Sequence, residues 1–200
     1  MAAVVIPELT GYALARPRFM DFGLTQTPQS GSGAVSTRLD RLGSRWALDV
    51  SLPPTMEGVD LRALLVALLR GRSLGASYSW PQPGLTIGTP GAALVNGAGQ
   101  TGATLVLDGM TPGYVVAAGQ FLSIFSGGRR YLHMAAAAAT VTGGGGLTLS
   151  ILPNLRIAPA DNAAVNFTAP VIEGLLVGEF GWDLDAGTHV PLNFSIEESA

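Results

Sequence analysis

The sequence predicts a mainly β protein: a β-sandwich or barrel body with one short α-helix and an inserted small β-barrel-like domain. Three observations carry this. Short apolar stretches alternate with a period of two, glycine and proline turns recur between residues 74 and 170, and a single segment repeats its leucines at helical spacing. A chain of 200 residues is long enough for one large domain or two small ones.

Residues 1–42 form an N-terminal arm in this reading. Gly31, Ser32 and Gly33 lie in a turn-rich stretch, yet Tyr12, Phe19, Met20 and Phe22 are residues a polar tail would lack. Two readings stay open: an arm that orders against a neighbour, or an early hairpin packed on the chain's own core. Next, Trp46, Leu48, Val50 and Leu52 alternate with shorter or polar residues, which predicts a strand over 45–52. Pro53-Pro54 is expected to end it, because proline donates nothing to the ladder.

The helix is predicted over 60–70. Leu61, Leu64, Leu65, Leu68 and Leu69 make one apolar stripe, Asp60 and Arg70 suit the two ends of the helix dipole, and Gly71 is the expected C-cap. A helix of this length is too short to stand alone and should cover a sheet.

Short strands are then expected at 76–80, 103–108, 114–117, 120–126, 130–136, 147–152 and 164–168, with turns at Pro112-Gly113, Gly127-Gly128 and Gly143 to Gly146. Ala135 to Ala139 has helical propensity but reads as a strand with a small-residue face, since it sits between Leu132 and Val141. A C-terminal hairpin closes the chain. Glu173 to Leu184 is its first strand, Asp185-Ala186-Gly187 the turn, and Val190, Leu192, Phe194 and Ile196 the apolar face of the second strand. Pro191 places that strand at an edge or a bulge. The expected organisation is an arm (1–42), a β body (43–79 and 170–200) and an inserted small β domain (80–169).

Composition narrows the function. Charged residues make up 12% of the chain, against about 25% in a typical soluble domain. So neutral a surface favours association with permanent partners. The net charge is −3, and all 11 basic residues are Arg, with no basic stripe of the kind free nucleic-acid binders carry. With no Cys, disulfides, thiolate metal sites and cysteine nucleophiles are excluded; with no Lys, so are a P-loop and a lysine Schiff base. The start, MAAVVIPELT, lacks the basic residues of a signal peptide, and no apolar run approaches the roughly 20 residues of a membrane span. No membrane insertion is expected.

Candidate chemistry is sparse. Gly71-Arg72-Ser73-Leu74-Gly75 fits G-x-S-x-G, but a nucleophile elbow needs a strand before the serine and a helix after it, and the predicted order here is reversed. A hydrolase using Ser73 would lose its activity on Ser73→Ala. The two histidines, His133 and His189, fall in or beside predicted strands, and nothing in the sequence brings either to Ser73. Asp183 and Asp185 form a D-x-D, but a hairpin turn favours Asp by itself and a cation site needs more oxygen ligands. Gly143 to Gly146 leads into a strand and lacks the Lys of a phosphate loop. Trp46, Trp80, Phe121, Phe125, Phe180, Trp182 and Phe194 could stack on bases or anchor an interface, but strand patterns place most of them in a core. The expectation is therefore a non-enzyme with no catalytic, cofactor-binding or metal-binding residues and no cofactor.

Three stretches carry a family likeness. Arg41-Leu42-Gly43-Ser44-Arg45-Trp46-Ala47-Leu48, then Leu52-Pro53-Pro54-Thr55-Met56 and the leucine helix, resemble the opening of minor and distal tail proteins of long-tailed bacteriophages. Gly99-Gln100-Thr101-Gly102, Ala118 to Ile124, Arg130-Tyr131-Leu132-His133, Leu147 to Arg156 and Asp161 to Val165 resemble a small β domain common in phage structural proteins. The likeness spans most of residues 40–197. It implies a virion structural subunit without catalytic residues, forming a homo-oligomeric ring, typically a hexamer, at the distal end of the tail. Implied partners are further copies of the chain, the tail tube protein, and hub, baseplate or fibre proteins. Assembly would take place in the bacterial host cytoplasm, with DNA only in transit through the lumen. An acidic lumen would let DNA pass without sticking. The alternative is a virion-carried β-sandwich module that binds a carbohydrate or receptor through exposed aromatics.

Overall fold

The computed structural model describes residues 3–8, 13–26, 36–39, 41–56, 59–178 and 189–199. In chain order its strands are β1 (Val4–Val5), β2 (Leu14–Met20), β3 (Leu24–Gln26), β4 (Thr37–Leu39), β5 (Arg45–Met56), β6 (Ala76–Ser79), β7 (Gly91–Val95), β8 (Gly102–Met110), β9 (Val115–Val116), β10 (Phe121–Ser126), β11 (Arg129–Ala135), β12 (Ala139–Thr140), β13 (Leu147–Leu155), β14 (Val165–Asn166), β15 (Val171–Val177) and β16 (His189–Glu198). One helix, α1 (Val59–Leu74), lies between β5 and β6 among the described residues. The protein is mainly β, as expected from its turns and alternation.

Two six-stranded sheets dominate. The first has the order β1-β6-β15-β16-β5-β2, antiparallel except for the parallel pair β1–β6. Its strands lie before residue 80 and after residue 170. The second has the order β14-β10-β11-β13-β8-β7, and its strands lie between residues 91 and 166. This second sheet nearly closes into a barrel. Leu94 bridges Ala164, Val95 N donates to Ala163 O at 3.0 Å, and Asn162 N donates to Val95 O at 2.9 Å. Closure removes most of the open edge that a small sheet would otherwise present.

Strand β13 shows why the barrel fills. Leu147, Leu149, Ile151 and Leu155 point inward and are buried, while Thr148, Ser150 and Leu152 point outward. They meet Leu105, Leu107, Leu122 and Ile124 from the neighbouring strands, with Phe167 beneath. The strand runs past the predicted end at 152 because a register shift between Ser150 and Leu155 accommodates Pro153.

In the first sheet, Leu48, Val50, Ile172, Leu192 and Ile196 form the buried face, and α1 covers it with Leu61, Leu64 and Leu68. Leu65 is half-buried, but Leu69 is exposed, because it sits about 100° round the helix from Leu68. Gly71 does not cap the helix. It is buried inside it, where an added Cβ would come within 3.0 Å of the Ala76 Cβ. The helix instead ends at Leu74, followed by Gly75 at φ +86°, a left-handed conformation suited to glycine. Arg72, in the last turn, donates to Gly178 O at 2.7 Å.

Several expectations need correction. Pro53-Pro54 does not end β5, which continues to Met56. Leu52 pairs with Leu192 and Thr55 with Val190, so one extra residue bulges out of the ladder where the prolines fall. The same irregularity holds Pro191; β16 is central in its sheet, so the bulge and not an edge accounts for that proline. Ala135 to Ala139 is neither a helix nor one strand: β11 ends at Ala135, the chain bends, and Ala139–Thr140 pairs with Val116 and Val115. Strand β14 spans only two residues of the predicted 164–168, and β7 was not foreseen, because Gly-Ala-Ala-Leu-Val shows no alternation. In the N-terminal region, β1 and β2 join the first sheet, and β3 and β4 pair as a small separate hairpin. The turn at Asp185-Ala186-Gly187, the glycines at 31 and 33, and Tyr12 lie outside the described residues.

Candidate functional site

Two features distinguish this fold from a plain pair of sheets: a buried polar joint between them, and an exposed apolar face beside β2.

The joint is built at the end of β16. Leu192, Phe194 and Ile196 are buried in alternation, and the next position in that series is Glu198, so a carboxylate occupies an inward position. Its Oε1 accepts from Leu132 N of β11 at 2.8 Å and its Oε2 from Trp46 N of β5 at 3.2 Å. Arg156, just after β13, forms an ion pair with Oε1. One side chain of the first sheet thereby holds two segments of the second. Burial raises the Glu198 carboxyl to about 7, against the opposing pull of Arg156, the two backbone donors and Arg45. A second carboxylate works in parallel: Glu173 Oε2 of β15 accepts from Arg130 N at 3.2 Å and pairs with the Arg130 guanidinium at 3.3 Å.

Aromatic packing completes the joint. Trp46 meets Phe121 at 5.0 Å, Trp80 at 5.7 Å and Phe19 at 5.1 Å between ring centroids, and Trp80 meets Phe121 at 4.8 Å. Phe121 N donates to Gln82 Oε1 at 2.7 Å. Nearby, His133 is fully buried in β11, with Nδ1 at 2.9 Å from Pro153 O. Burial holds its ring well below the ordinary range, at about 4, so it is neutral at pH 7.

The exposed face lies on β2, β3, β4 and the loop before β5. Phe19, Phe22, Leu24, Leu39 and Leu42 are each at least 40% exposed, while Leu14, also exposed, points to the opposite face of β2 from Phe19. Five large apolar side chains so close in sequence are more than scattered surface hydrophobics. Arg45 stacks over the Phe22 ring at 4.7 Å, and Arg38 pairs with Asp21. The hydrogen bond from Arg38, helped by Gly23 N, holds the Asp21 carboxyl below its usual range. Along β2, Arg18 grips Asp49 through two bonds of 2.8 and 3.0 Å, and Ser195 Oγ donates to the same carboxylate at 2.6 Å. Burial opposes the charge on Asp49, but these bonds outweigh it and leave the carboxyl below its ordinary value.

The motifs with formal catalytic patterns are not assembled. Ser73 is exposed in the last turn of α1, so helix precedes strand, the reverse of an elbow. His133 is sealed in the barrel wall and bonded to Pro153. His189 starts β16, and its side chain, like those of Asp183, Asp185, Phe180 and Trp182, lies outside the described residues. No metal-binding cluster of three or more His, Asp or Glu occurs among the described residues, and none of the described helices is long and apolar enough to cross a membrane. Sequence reasoning missed the joint, yet extending the alternation of β16 by one step, from Ile196 to Glu198, signals it.

No known protein family matches this chain, and no curated protein is significantly similar to it.

Proposed function

We propose that the chain is a structural subunit of a bacteriophage tail, forming a homo-oligomeric ring at the distal end that joins the tail tube to the hub, baseplate or fibres. The observation that carries the assembly reading is the exposed apolar face around β2 to β4 on a chain of low charge. Surface of this kind is costly to leave in water, and buried against another copy it stabilises an assembly. The tail assignment itself rests on the resemblance of residues 40–197 to distal and minor tail proteins.

The rival reading, a glycan- or receptor-binding module, draws less support. Trp46 and Trp80 are turned into the joint and pack on each other and on half-buried Phe121, leaving them unavailable as a sugar-stacking platform. Mass photometry of the purified chain, alone and with the tail tube protein, tests the proposal. Rings of one stoichiometry are expected. A chain that stays monomeric in both cases at high concentration sinks it.

A further inference from the structure

After Leu152, β13 leaves β11. The two strands pair only at Met134 and Ala135, so the edge of β11 from Arg129 to His133 meets no strand on that side. A bare edge inside a molecule strands its backbone donors. Arg130 and Leu132 are two residues apart, so their N–H groups point the same way. Each is taken by a carboxylate of the other sheet: Arg130 N donates to Glu173 Oε2 at 3.2 Å, and Leu132 N to Glu198 Oε1 at 2.8 Å. The two carboxylates come from adjoining strands, because Glu198 pairs with Gly174, the residue after Glu173. They stand where the carbonyls of a neighbouring strand would stand.

Side chains alone hold the two sheets face to face. Among the described residues no backbone-to-backbone hydrogen bond links a strand of one sheet to a strand of the other. The chain crosses between them only from β6 to β7 and from β14 to β15. Those two crossings are tied together by Trp80 N, which donates to Pro170 O at 2.8 Å. Away from the crossings, the joint consists of the two carboxylates with Arg130 and Arg156, and of Phe121, Leu132 and Met134 packed into the core of the first sheet. A cleft of about 450 Å³ reaches the carboxylates, with Arg45, Arg129, Glu173 and Glu198 in its lining, and gives water a short route to them.

We propose that Glu173 and Glu198 form a releasable latch and the crossings at Trp80 and Pro170 a hinge, so that the barrel swings away from the first sheet while both stay folded. In the open state each sheet keeps its own ladder. The first keeps Leu48, Val50, Ile172 and Ile196 under α1, and the barrel keeps Leu105, Leu107, Leu149 and Ile151 inside it. Opening uncovers Phe121, Leu132 and Met134, so the closed state dominates and the open one is rare. Such sub-global openings lie below global unfolding in free energy. The motion belongs to the single chain and goes beyond the ring reading.

Hydrogen–deuterium exchange resolved to single amides, on the parent chain, tests this. On opening, the Arg130 and Leu132 amides lose their acceptors. They should be less protected than the amides of the β8–β13 and β16–β5 ladders, and their exchange should depend less steeply on urea, because a local opening exposes less surface than unfolding does. Glu198→Gln keeps an acceptor for Leu132 but gives up the charge, and Glu173→Gln does the same for Arg130. Each should speed exchange at its own amide by about tenfold or more, the difference between a charged and a neutral acceptor, and leave the β8–β13 ladder unchanged. Arg130 and Leu132 amides that share the protection and the full urea dependence of the ladders show a joint that parts only on unfolding, and overturn the proposal. Amides with no protection show that the latch does not form, and overturn it too. So do variants that speed exchange equally throughout the chain.

Discussion

Glu198 and His133 are buried within the same joint, and their protons move in opposite senses. Glu198 has its carboxyl raised from 4.5 to about 7, so the stability it contributes is full below pH 4.5 and is lost as pH rises through 7. His133 has its ring lowered from 6.5 to about 4, so its contribution is full above pH 6.5 and is lost as pH falls through 4. Between pH 4.5 and 6.5 the two slopes oppose each other. Urea midpoints of the parent chain should be nearly flat there. In Glu198→Gln the midpoint should rise with pH across that window, and in His133→Asn it should fall. Parallel profiles in all three proteins would contradict this assignment of the two groups. Glu198→Ala is a harsher change. It strands Arg156 and two backbone donors in the interior, and should cost about 3–5 kcal/mol in denaturant unfolding.

At the scale of the element, the helix and its exit carry most of the testable energetics. Leu68 is buried between α1 and the first sheet, so Leu68→Ala should cost about 2–5 kcal/mol, depending on how far the site collapses. Leu69, its exposed neighbour, should tolerate the same change within about 0.5 kcal/mol. This contrast checks the helix phase, because leucine spacing alone puts Leu68 and Leu69 in one apolar stripe and the structure buries only Leu68. Gly75→Ala should cost about 1–2 kcal/mol, because φ +86° is disfavoured for any residue with a Cβ. The close approach of β15 to β16 is stricter still: a Cβ on Gly174 would fall 1.8 Å from Glu197 O. Gly174→Ala should therefore part these strands and lower the thermal midpoint more than Gly75→Ala does.

For the molecule as a whole, residues 13–45 carry five Arg against two Asp and the rest six Arg against twelve acidic residues, so self-association is expected to depend on salt. Raising the salt from 50 to 500 mM shortens the Debye length from about 14 to about 4 Å and should weaken self-association without unfolding the chain. Mass photometry across that range, with circular dichroism as the control, measures it. Oligomers indifferent to salt would argue for a purely apolar contact. The sequence by itself determined the fold class, the helix, the β13 and β16 faces and the poverty of reactive groups, because these depend on local period and residue type. It misplaced the helix cap and the end of β5, where a buried glycine and a bulge override local preference. The pairing of β2 with β5, the closure of the barrel between Leu94 and Ala164, and the meeting of Glu198 with Leu132 and Arg156 were decided only by the tertiary structure. These contacts join residues far apart in the chain, and no local pattern records which distant partner will satisfy a given strand edge or buried charge.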